Sequence, residues 1–508
     1  MFKDRLCYDY FDNEDRGADI LRKAILTIAL LCIIVICIVS TMPVHAEEAF
    51  STTPMIAGGE EHTIALKSDG TVWGWGSYYH GQLGNGAVGE WRPQGSDAFQ
   101  VTPAQVAGLD HMVAVAAGQY HTVTLRRDGT VWAFGFDDEG QLGDGNGGEV
   151  GRRNPMTVQA KISNATAIAA GKRHSVALRD DGTVWTWGSN YYGQLGHGEP
   201  GWPNKQNVPA QVQGVDHVIS IAAGSDHTVA LRDDGTVWLW GLNDRGQLGN
   251  GTGGQQAGED EEADFSALPV QAQGLVNITA IAAGTGHTIA LREDGTVWVW
   301  GANWRGQIGD GTLENDDYRT IPTQIGNLSD VTAIAGGHAH SVVMKKDGSV
   351  WAWGLNVDGQ LGVGSGWNED GHRLTPVQTN HINNVISIAA GDTHTIVMRD
   401  DGTVWAWGNN RAGQVGDGTV CEFGDYRPNP QQVLGPDGVG YLNLLESSHQ
   451  STEQTESPTE STEPISDLPE SPIGPSSNIT VWIIFVSLGV ALTVTVAILL
   501  LLKKRRRW

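Results

Sequence analysis

A unit of 53 to 60 residues repeats seven times along the chain, and this regularity limits the possible folds more than any single motif does. Three marks stay in step through all seven copies: a histidine after a small-residue segment such as Ala-Ala-Gly, an Asp-Gly pair, and the tetrapeptide Gly-Gln-(Leu/Ile/Val)-Gly. A fixed period of this size indicates a repeat architecture. The histidines are His62, His121, His174, His227, His287, His340 and His394.

Each copy predicts four short β-strands. In the fourth copy, residues 227–231 and 236–241 are β-type runs, and the Arg-Asp-Asp-Gly segment between them suits a tight hairpin turn. Residues 218–222 predict a strand before the hairpin, and residues 209–212 predict a short outer strand. The copy therefore predicts one small antiparallel sheet.

The second run of the hairpin is apolar on both faces, since Val237 and Leu239 alternate with Trp238 and Trp240. A sheet with one wet face would alternate apolar with polar residues. Sheets that are covered on both faces and repeat around an axis form a β-propeller. The prediction is an all-β, seven-bladed β-propeller of four-stranded antiparallel blades, with an N-terminal signal or apolar helix and a C-terminal transmembrane helix.

With these three marks in register over residues 54–445, the chain resembles the RCC1 (regulator of chromosome condensation) repeat family, known in bacteria as alpha-tubulin-suppressor-like proteins. The resemblance implies a seven-bladed propeller but no single activity. Family members serve as exchange factors, chromatin binders, photoreceptors, ligase substrate modules and secreted enzyme inhibitors. A secreted bacterial member that covers the active site of a β-lactamase is the nearest analogy for a mode of binding.

Net charge argues against nucleic acid as a partner. The formal charge is −26; residues 1–46 carry −1 and the tail after Leu502 carries +5, which leaves −30 between them. Such an acidic segment repels nucleic acid and anionic lipid. Of the four cysteines only Cys421 falls within the repeats, so the sequence predicts no disulfide and no cysteine-based zinc site there.

The chain ends predict membrane attachment. Residues 1–46 read as a signal peptide or N-terminal anchor: basic residues precede an apolar run at 24–40, and the Val-His-Ala segment at 44–46 fits a cleavage site. The short run favours cleavage, and an uncleaved anchor is the alternative. Residues 446–478 are a Ser/Thr/Glu/Pro-rich stalk, 479–502 a transmembrane helix, and 503–508 a basic cytoplasmic tail. The expected topology is single-pass type I, with the propeller outside the cytoplasm.

The ring must close without an exposed strand edge. No outer-strand segment precedes the first copy, whereas residues 430–433 and 440–444 follow the last one. The hypothesis is that this C-terminal piece completes the blade that begins at the N-terminus.

Histidine and tryptophan invite functional interpretations, but their positions favour structural ones. Equivalent positions around a ring do not converge, so the seven histidines are interpreted as structural marks with hydrogen bonds inside each blade, and no metal site is expected. The paired aromatic residues of each copy are interpreted as packing between blades rather than as a light-absorbing cluster.

The loops after the Gly-Gln-Leu-Gly mark differ between copies and should share one face of the ring, where insertions often build a binding surface. Aromatic residues outside the repeat pattern suit interface anchors, and packing onto the propeller rim is the alternative. Acidic clusters at 258–264 and 314–317 favour solvated loops over calcium sites, because the D-x-D-x-D-G form is absent. The candidate binding residues are Trp91, Phe99, Trp202, Phe265, Tyr318, Trp367 and Tyr426.

No catalytic motif is present: the chain has no G-x-S-x-G, no HExxH and no P-loop. The sequence favours a monomeric, cofactor-free binding module for a protein or cell-surface ligand. The alternatives are guanine-nucleotide exchange on a small GTPase, which the resemblance implies, and an enzyme acting on cell-wall or glycan material.

Overall fold

Each repeat folds into one four-stranded antiparallel sheet, and within every sheet the strands lie in chain order. The computed structural model describes residues 22–23, 25–27, 50–90, 98–201, 205–254, 263–313, 318–366, 371–422 and 425–446. Over these residues the predicted seven-bladed propeller of four-stranded antiparallel blades is confirmed.

The strands of the first four blades begin and end as follows. Blade 1 holds β1 Met55–Gly58, β2 His62–Leu66, β3 Val72–Ser77 and β4 Phe99–Gln105. Blade 2 holds β5 Met112–Ala117, β6 His121–Arg126, β7 Val131–Phe136 and β8 Arg153–Gln159. Blade 3 holds β9 Ala165–Ala170, β10 His174–Arg179, β11 Val184–Ser189 and β12 Lys205–Gln211. Blade 4 holds β13 Val218–Ala223, β14 His227–Arg232, β15 Val237–Leu242 and β16 Phe265–Gln271.

The remaining blades follow the same plan. Blade 5 holds β17 Ile278–Ala283, β18 His287–Arg292, β19 Val297–Ala302 and β20 Tyr318–Gln324. Blade 6 holds β21 Val331–Gly336, β22 His340–Lys345, β23 Val350–Leu355 and β24 His372–Gln378. Blade 7 holds β25 Val385–Ala390, β26 His394–Arg399, β27 Val404–Gly408 and β28 Arg427–Gln432, and a 3-10 turn follows at Pro436–Gly438.

The hydrophobic core is divided into seven clusters, each between two neighbouring blades. Between blades 4 and 5, for example, Val229 and Leu239 pack against Ala290 and Trp300. This arrangement explains why the third strand of each copy is apolar on both faces. It also explains why the second aromatic residue of each pair is fully buried: Trp75, Phe134, Trp187, Trp240, Trp300, Trp353 and Trp407.

The outer strand belongs to the copy before the one to which the sequence analysis assigned it. β12 pairs with β11 of blade 3, with Trp185 opposite Gln211, and not with a strand of blade 4. The chain reaches this position through the loop after the third strand, so the free edge of that strand is the nearest partner. The earlier grouping of residues 209–212 with the fourth copy was wrong.

The predicted completion of the first blade by the C-terminus was also wrong, because all four strands of blade 1 come from residues 55–105. The C-terminal segment closes the ring in another way. The Leu444 amide donates to the Gly402 carbonyl at 2.9 Å, and the Leu444 carbonyl accepts from the Ser68 amide at 2.8 Å. At the seam between blades 2 and 3, linker residues 164–165 make the equivalent two bonds. Leu444 therefore replaces an inter-blade linker between blades 7 and 1.

Two leucines anchor this closing segment. Leu442 and Leu444 are buried in the cluster that joins blades 7 and 1, whereas the next residue, Leu445, is 47% exposed.

We predict that Leu444→Ala lowers the free energy of unfolding by about 2–4 kcal/mol, because it removes a fully buried side chain at the only seam without a covalent linker. The matched control is Leu445→Ala, which should change stability by less than about 0.5 kcal/mol because the side chain is exposed. Urea denaturation of both variants measures the difference. Equal stabilities would contradict this account of ring closure.

The seven repeat histidines form a closed circle of hydrogen bonds between blades. Each is fully buried, and its Nε2 lies 2.9–3.2 Å from a serine or threonine hydroxyl of the next blade. The sequence analysis expected these hydrogen bonds inside each blade, and that expectation was wrong. The last bond, from His394 to Thr63, joins blade 7 to blade 1. The other pairs are His62–Thr122, His121–Ser175, His174–Thr228, His227–Thr288, His287–Ser341 and His340–Thr395.

The repeated glutamine is the acceptor at the centre of each junction. Its backbone carbonyl accepts the hydroxyl of the same serine or threonine at 2.8–3.0 Å. The buried indole of the following blade donates to this carbonyl in six copies, as Trp240 does to Gln194 at 2.9 Å. Blade 2 has Phe134 at this position and so lacks an indole donor. Because the hydroxyl donates its proton in the hydrogen bond to the glutamine carbonyl, the histidine Nε2 must be protonated and must donate to the hydroxyl oxygen.

Burial keeps these imidazoles neutral. It lowers the pKa of His227 to about 4 and that of the other six to about 3, and in His62, His174, His287 and His340 neighbouring histidines add to the effect. The folded pKa lies below the ordinary value of 6.5, so unfolding takes up protons between these two values. Stability is therefore complete above about pH 6.5 and falls as the pH drops toward the folded pKa.

We predict that the free energy of unfolding declines steeply between pH 6 and pH 4.5, by up to about 1.4 kcal/mol per pH unit for each buried histidine. His227→Gln should reduce this slope by one such increment, since it removes one of the titrating groups. His217→Asn is the control, because His217 is exposed and lies outside the circle. Urea titrations across this pH range give the slopes, and an unchanged slope in His227→Gln would refute the assignment.

The described structure does not test the predicted N-terminal signal or anchor and the predicted C-terminal transmembrane helix. Residues 479–502 lie outside the described residues, as do residues 28–49. Within the described part of the chain, no helix combines the length and apolar character needed to cross a membrane.

Candidate functional site: the loop face

The residues that vary between copies gather on one face of the ring. The turns between the first and second strands and the loops after the third strands meet there, as shown by the Leu242 amide donating to the Asp226 carbonyl at 2.8 Å. We call this the loop face. The Asp-Gly hairpins form the opposite turn face, and Thr52 and Leu444 lie near that face, since the Thr52 amide donates to the Ser68 carbonyl and the Ser68 amide donates to the Leu444 carbonyl.

The scaffold holds two variable side chains per blade in a fixed turn on the loop face. In blade 4, the Gln247 side-chain carbonyl accepts the Arg245 amide at 2.8 Å, and Asn243 Oδ1 accepts the Leu248 amide at 3.1 Å. The two residues between Asn243 and the glycine before Gln247 are thereby oriented without contributing to the core. At the corresponding positions blade 3 presents Tyr191 and Tyr192, and blade 5 presents Trp304 and Arg305.

The predicted binding aromatics are not brought together. Phe99, Phe265 and Tyr318 begin the outer strands β4, β16 and β20, and Tyr426 precedes β28, so the four lie on the outer rim of different blades and are half-buried. The Tyr318 ring lies against Gly254 of the preceding blade's loop, and the Tyr426 ring lies against Gly366. Trp91, Trp202 and Trp367 lie outside the described residues. A binding role for the seven stays a prediction, and two of them have a packing role.

Other aromatic residues lie further inward. Tyr79 and His80 of blade 1 are in edge contact at 4.8 Å, and the His80 ring lies 4.4 Å from Tyr120 and 4.7 Å from Phe136 of blade 2. Tyr191, which is 50% exposed, meets Tyr192 edge-on at 4.6 Å. The loop face thus carries one aromatic cluster that joins blades 1 and 2 and an aromatic pair in blade 3.

Two surface clefts are lined by residues of the loop face. One, of about 300 Å³, is lined by Tyr191, Tyr192 and charged residues that include Glu139, Arg173 and Asp226. The other, of about 810 Å³, is lined by Trp304, Arg305, His338, Val357 and His372, among others. Aromatic walls with a few charged groups suit recognition of a protein surface.

The central channel opens between the clefts. Its wall is built from the Ala-Ala-Gly segments of five blades and the Ala-Gly-Gly segments of blades 1 and 6, and these residues line a cavity of about 150 Å³. The small residues are required because the histidine ring and a neighbouring backbone carbonyl lie where a side chain on the glycine would point, as His227 and the Gly284 carbonyl do at Gly224. The residue after the glycine lines the cavity in five blades, as Gln119, Lys172, Ser225, Thr285 and Asp392, and Glu60 and His338 hold the equivalent positions in blades 1 and 6. We call these seven positions the channel mouth.

The carboxyl groups at the mouth are less acidic than usual. Burial, then repulsion from Glu60 and Glu61, raises the pKa of Asp392 to about 7, and Lys172 partly opposes this. Burial likewise raises the pKa of Asp226 and of Glu61. Burial also raises the pKa of Tyr120, whose hydroxyl is hydrogen-bonded to Glu60.

Comparison with known proteins identifies the family. An RCC1-like domain model matches residues 39–337, and the regulator of chromosome condensation (RCC1) repeat matches 347–398 and 401–443. The ultraviolet-B receptor UVR8 of Arabidopsis thaliana is 32% identical over 403 residues, which cover 78% of this chain and 85% of the receptor. The chain belongs to the RCC1-like family. The family prediction is confirmed, and the narrower bacterial subgroup receives no support.

Other relatives of this RCC1-like chain match it over very different fractions of their own length. Human regulator of chromosome condensation is 31% identical over 66% of this chain and 81% of its own length. The human E3 ubiquitin-protein ligase HERC2 is 30% identical over 71% of this chain, but the match spans only 7% of the ligase. Among solved structures, Prp20p of Saccharomyces cerevisiae, studied for its binding to Gsp1p and histones, covers 75% of this chain and 88% of its own, with a TM-score of 0.60 and 22% identity. That identity shows the fold alone.

The channel mouth of this RCC1-like propeller was missed by the sequence analysis, although the signal was present. The two positions between the glycine and the histidine differ in every copy, whereas the residues on both sides repeat. Among the described residues, no group of three or more His, Cys, Asp or Glu side chains is placed to hold a metal ion.

Proposed function

We propose that this RCC1-like propeller is attached to a membrane by its C-terminal segment and binds a protein partner outside the cytoplasm through its loop face. The observation that carries the proposal is the separation of residues by face. The repeated side chains are buried in the circle of hydrogen bonds or in the core. The variable aromatic and charged side chains lie on the loop face.

Chain exit supports the same arrangement. The described chain leaves the propeller after Leu444 and Leu445 at the turn face, where the Ser68 hydroxyl donates to the Leu445 carbonyl at 3.1 Å. The last described residues of the propeller therefore lie at the turn face, opposite the proposed interface. The strongly basic residues after position 502 favour a cytoplasmic end and an extracytoplasmic propeller.

The kind of partner follows from charge and from the relatives. The segment between the N-terminal 46 residues and the basic tail carries −30, which favours a protein with a basic surface over nucleic acid. Relatives with solved structures also bind proteins: Prp20p has been studied with Gsp1p and histones and has been seen bound to Kap60.

We expect a photo-crosslinking residue placed at Tyr191 or Trp304 in the full-length chain on cells to capture a discrete protein. The matched control is the same residue at Ile219, which is 57% exposed at the turn-face end of β13. Mass spectrometry identifies the captured protein. Equal capture from Ile219 would contradict a loop-face interface.

Once that protein is known, combined replacement of Trp91, Trp202 and Trp367 by alanine should abolish its capture without changing the melting temperature. These residues are the sequence-based anchors, and retained capture would remove them from the interface.

Guanine-nucleotide exchange on a small GTPase is the second candidate, favoured by the likeness to Prp20p and its binding to Gsp1p. It requires a cytoplasmic propeller. We predict that alkaline phosphatase fused after residue 450 is active, because the enzyme folds only outside the cytoplasm. The same fusion without residues 1–46 should be inactive. An inactive full-length fusion that is expressed at the same level would favour the exchange function.

A further inference from the structure

The channel mouth has acceptors without donors. The Asp392 side chain lines the cavity, and its carboxylate forms no hydrogen bond or ion pair with any of the residues that the structure describes. On the same cavity, Gln119 has a buried Oε1 without a hydrogen-bond partner. Glu60, which is close enough to Asp392 to raise its pKa, has a buried Oε2 that also lacks a partner. A buried acceptor without a donor is unfavourable, so the Gln119 and Glu60 oxygens favour a ligand that brings donors, and the Asp392 carboxylate favours a ligand with a positive charge.

The backbone at this rim is already satisfied. The Asp392 amide donates to the Gly59 carbonyl at 3.0 Å, and its carbonyl accepts the His338 amide at 3.0 Å. The Gln119 amide donates to the Gly171 carbonyl at 3.3 Å. The fold is therefore complete without the side chains of Asp392 and Gln119, which leaves those side chains available for a ligand.

Lys172 is a cation on the wall of the same cavity, but it does not neutralise Asp392. It lines the same cavity and is close enough to lower the pKa of Asp392, but it makes no ion pair with Asp392 in the described structure. Burial combined with repulsion from Glu60 and Glu61 outweighs its attraction, since the pKa of Asp392 is still about 7. The negative charge on this side of the mouth is incompletely balanced.

We propose that the channel mouth binds a primary ammonium group, presented by a lysine side chain of the protein partner, with Asp392 as the counter-ion and the Gln119 and Glu60 oxygens as further acceptors. This inference rests on the proposed function, because it places the lysine at the centre of the loop-face interface. An ammonium offers three donors and no acceptor, which matches the imbalance on the wall. Its compact head and unbranched stem also suit a narrow channel of about 150 Å³ lined by Ala and Gly better than a planar guanidinium does.

The direct test is titration of the full-length chain with Nα-acetyl-lysine methylamide at pH 8.5, followed by calorimetry or NMR. The uncharged norleucine analogue is the control ligand, since it has the same stem without the ammonium. Saturable binding of the lysine compound and none of the norleucine compound is expected. Equal binding of both, or binding of neither, would overturn the proposal.

Three variants test the assigned residues. Asp392→Asn and Glu60→Gln should each weaken lysine binding, the first by about tenfold or more, since one charge-assisted hydrogen bond is lost. Lys172→Gln should strengthen it, because a competing cation is removed. Asp437→Asn, at an exposed turn, is the matched control and should have no effect. Unchanged affinity in Asp392→Asn, with an unchanged melting temperature, would refute the site.

The pH dependence of binding, the affinity for a free diamine and the capture of the partner give three further tests. Binding should weaken from pH 8.5 to pH 6 as Asp392 takes up a proton, and this dependence should shrink in Asp392→Asn. If cadaverine binds tenfold tighter than the lysine compound, the ligand is a free amine and the assignment to a partner side chain is overturned. If the identified partner is captured equally by wild type and Asp392→Asn, the inference fails while the proposed function stands.

Discussion

The hydrogen bond from each buried histidine to a hydroxyl of the next blade is the contact on which the ring depends. It fixes the tautomer of the imidazole, and the same hydroxyl donates a hydrogen bond to the backbone carbonyl of the repeated glutamine. The side chain of that glutamine in turn sets the loop that follows. One chain of contacts therefore runs from the interior of the ring to the loop face, and a hydroxyl of one blade contacts the glutamine that orders the loop of its neighbour.

The repeat predicted the seven blades and their four strands because every copy carries the same hairpin and the same doubly apolar strand. It did not reveal which copy owns each outer strand, since pairing depends on where a loop returns the chain, as β12 and β11 show. The partner of each histidine was misplaced for a similar reason: the nearest hydroxyl in space is 54 residues away from His174 in sequence.

The candidate site was predictable only as a face. Sequence differences between the copies located the variable loops, but Phe99, Phe265 and Tyr318, which were chosen from them, begin outer strands and lie on the rim, where Tyr318 covers Gly254. The channel mouth was not predicted because none of its residues belongs to a recognisable motif within its own copy. Glu60, Gln119 and Asp392 acquire meaning only when blades 1, 2 and 7 meet around an axis, which no pattern within a single copy describes.

The closing role of Leu444 also has a consequence for biosynthesis. Each blade is a continuous piece of chain and can pair its strands as it emerges, but the face of blade 1 that holds Trp75 is covered by blade 7, whose Gln414 carbonyl accepts the indole at 2.9 Å. That apolar face must wait until nearly the whole repeat region has been synthesised. The apolar face of the first blade to be synthesised is thus the last to be covered. Because that face stays exposed for the longest time, it is the part of the nascent chain that most requires a chaperone.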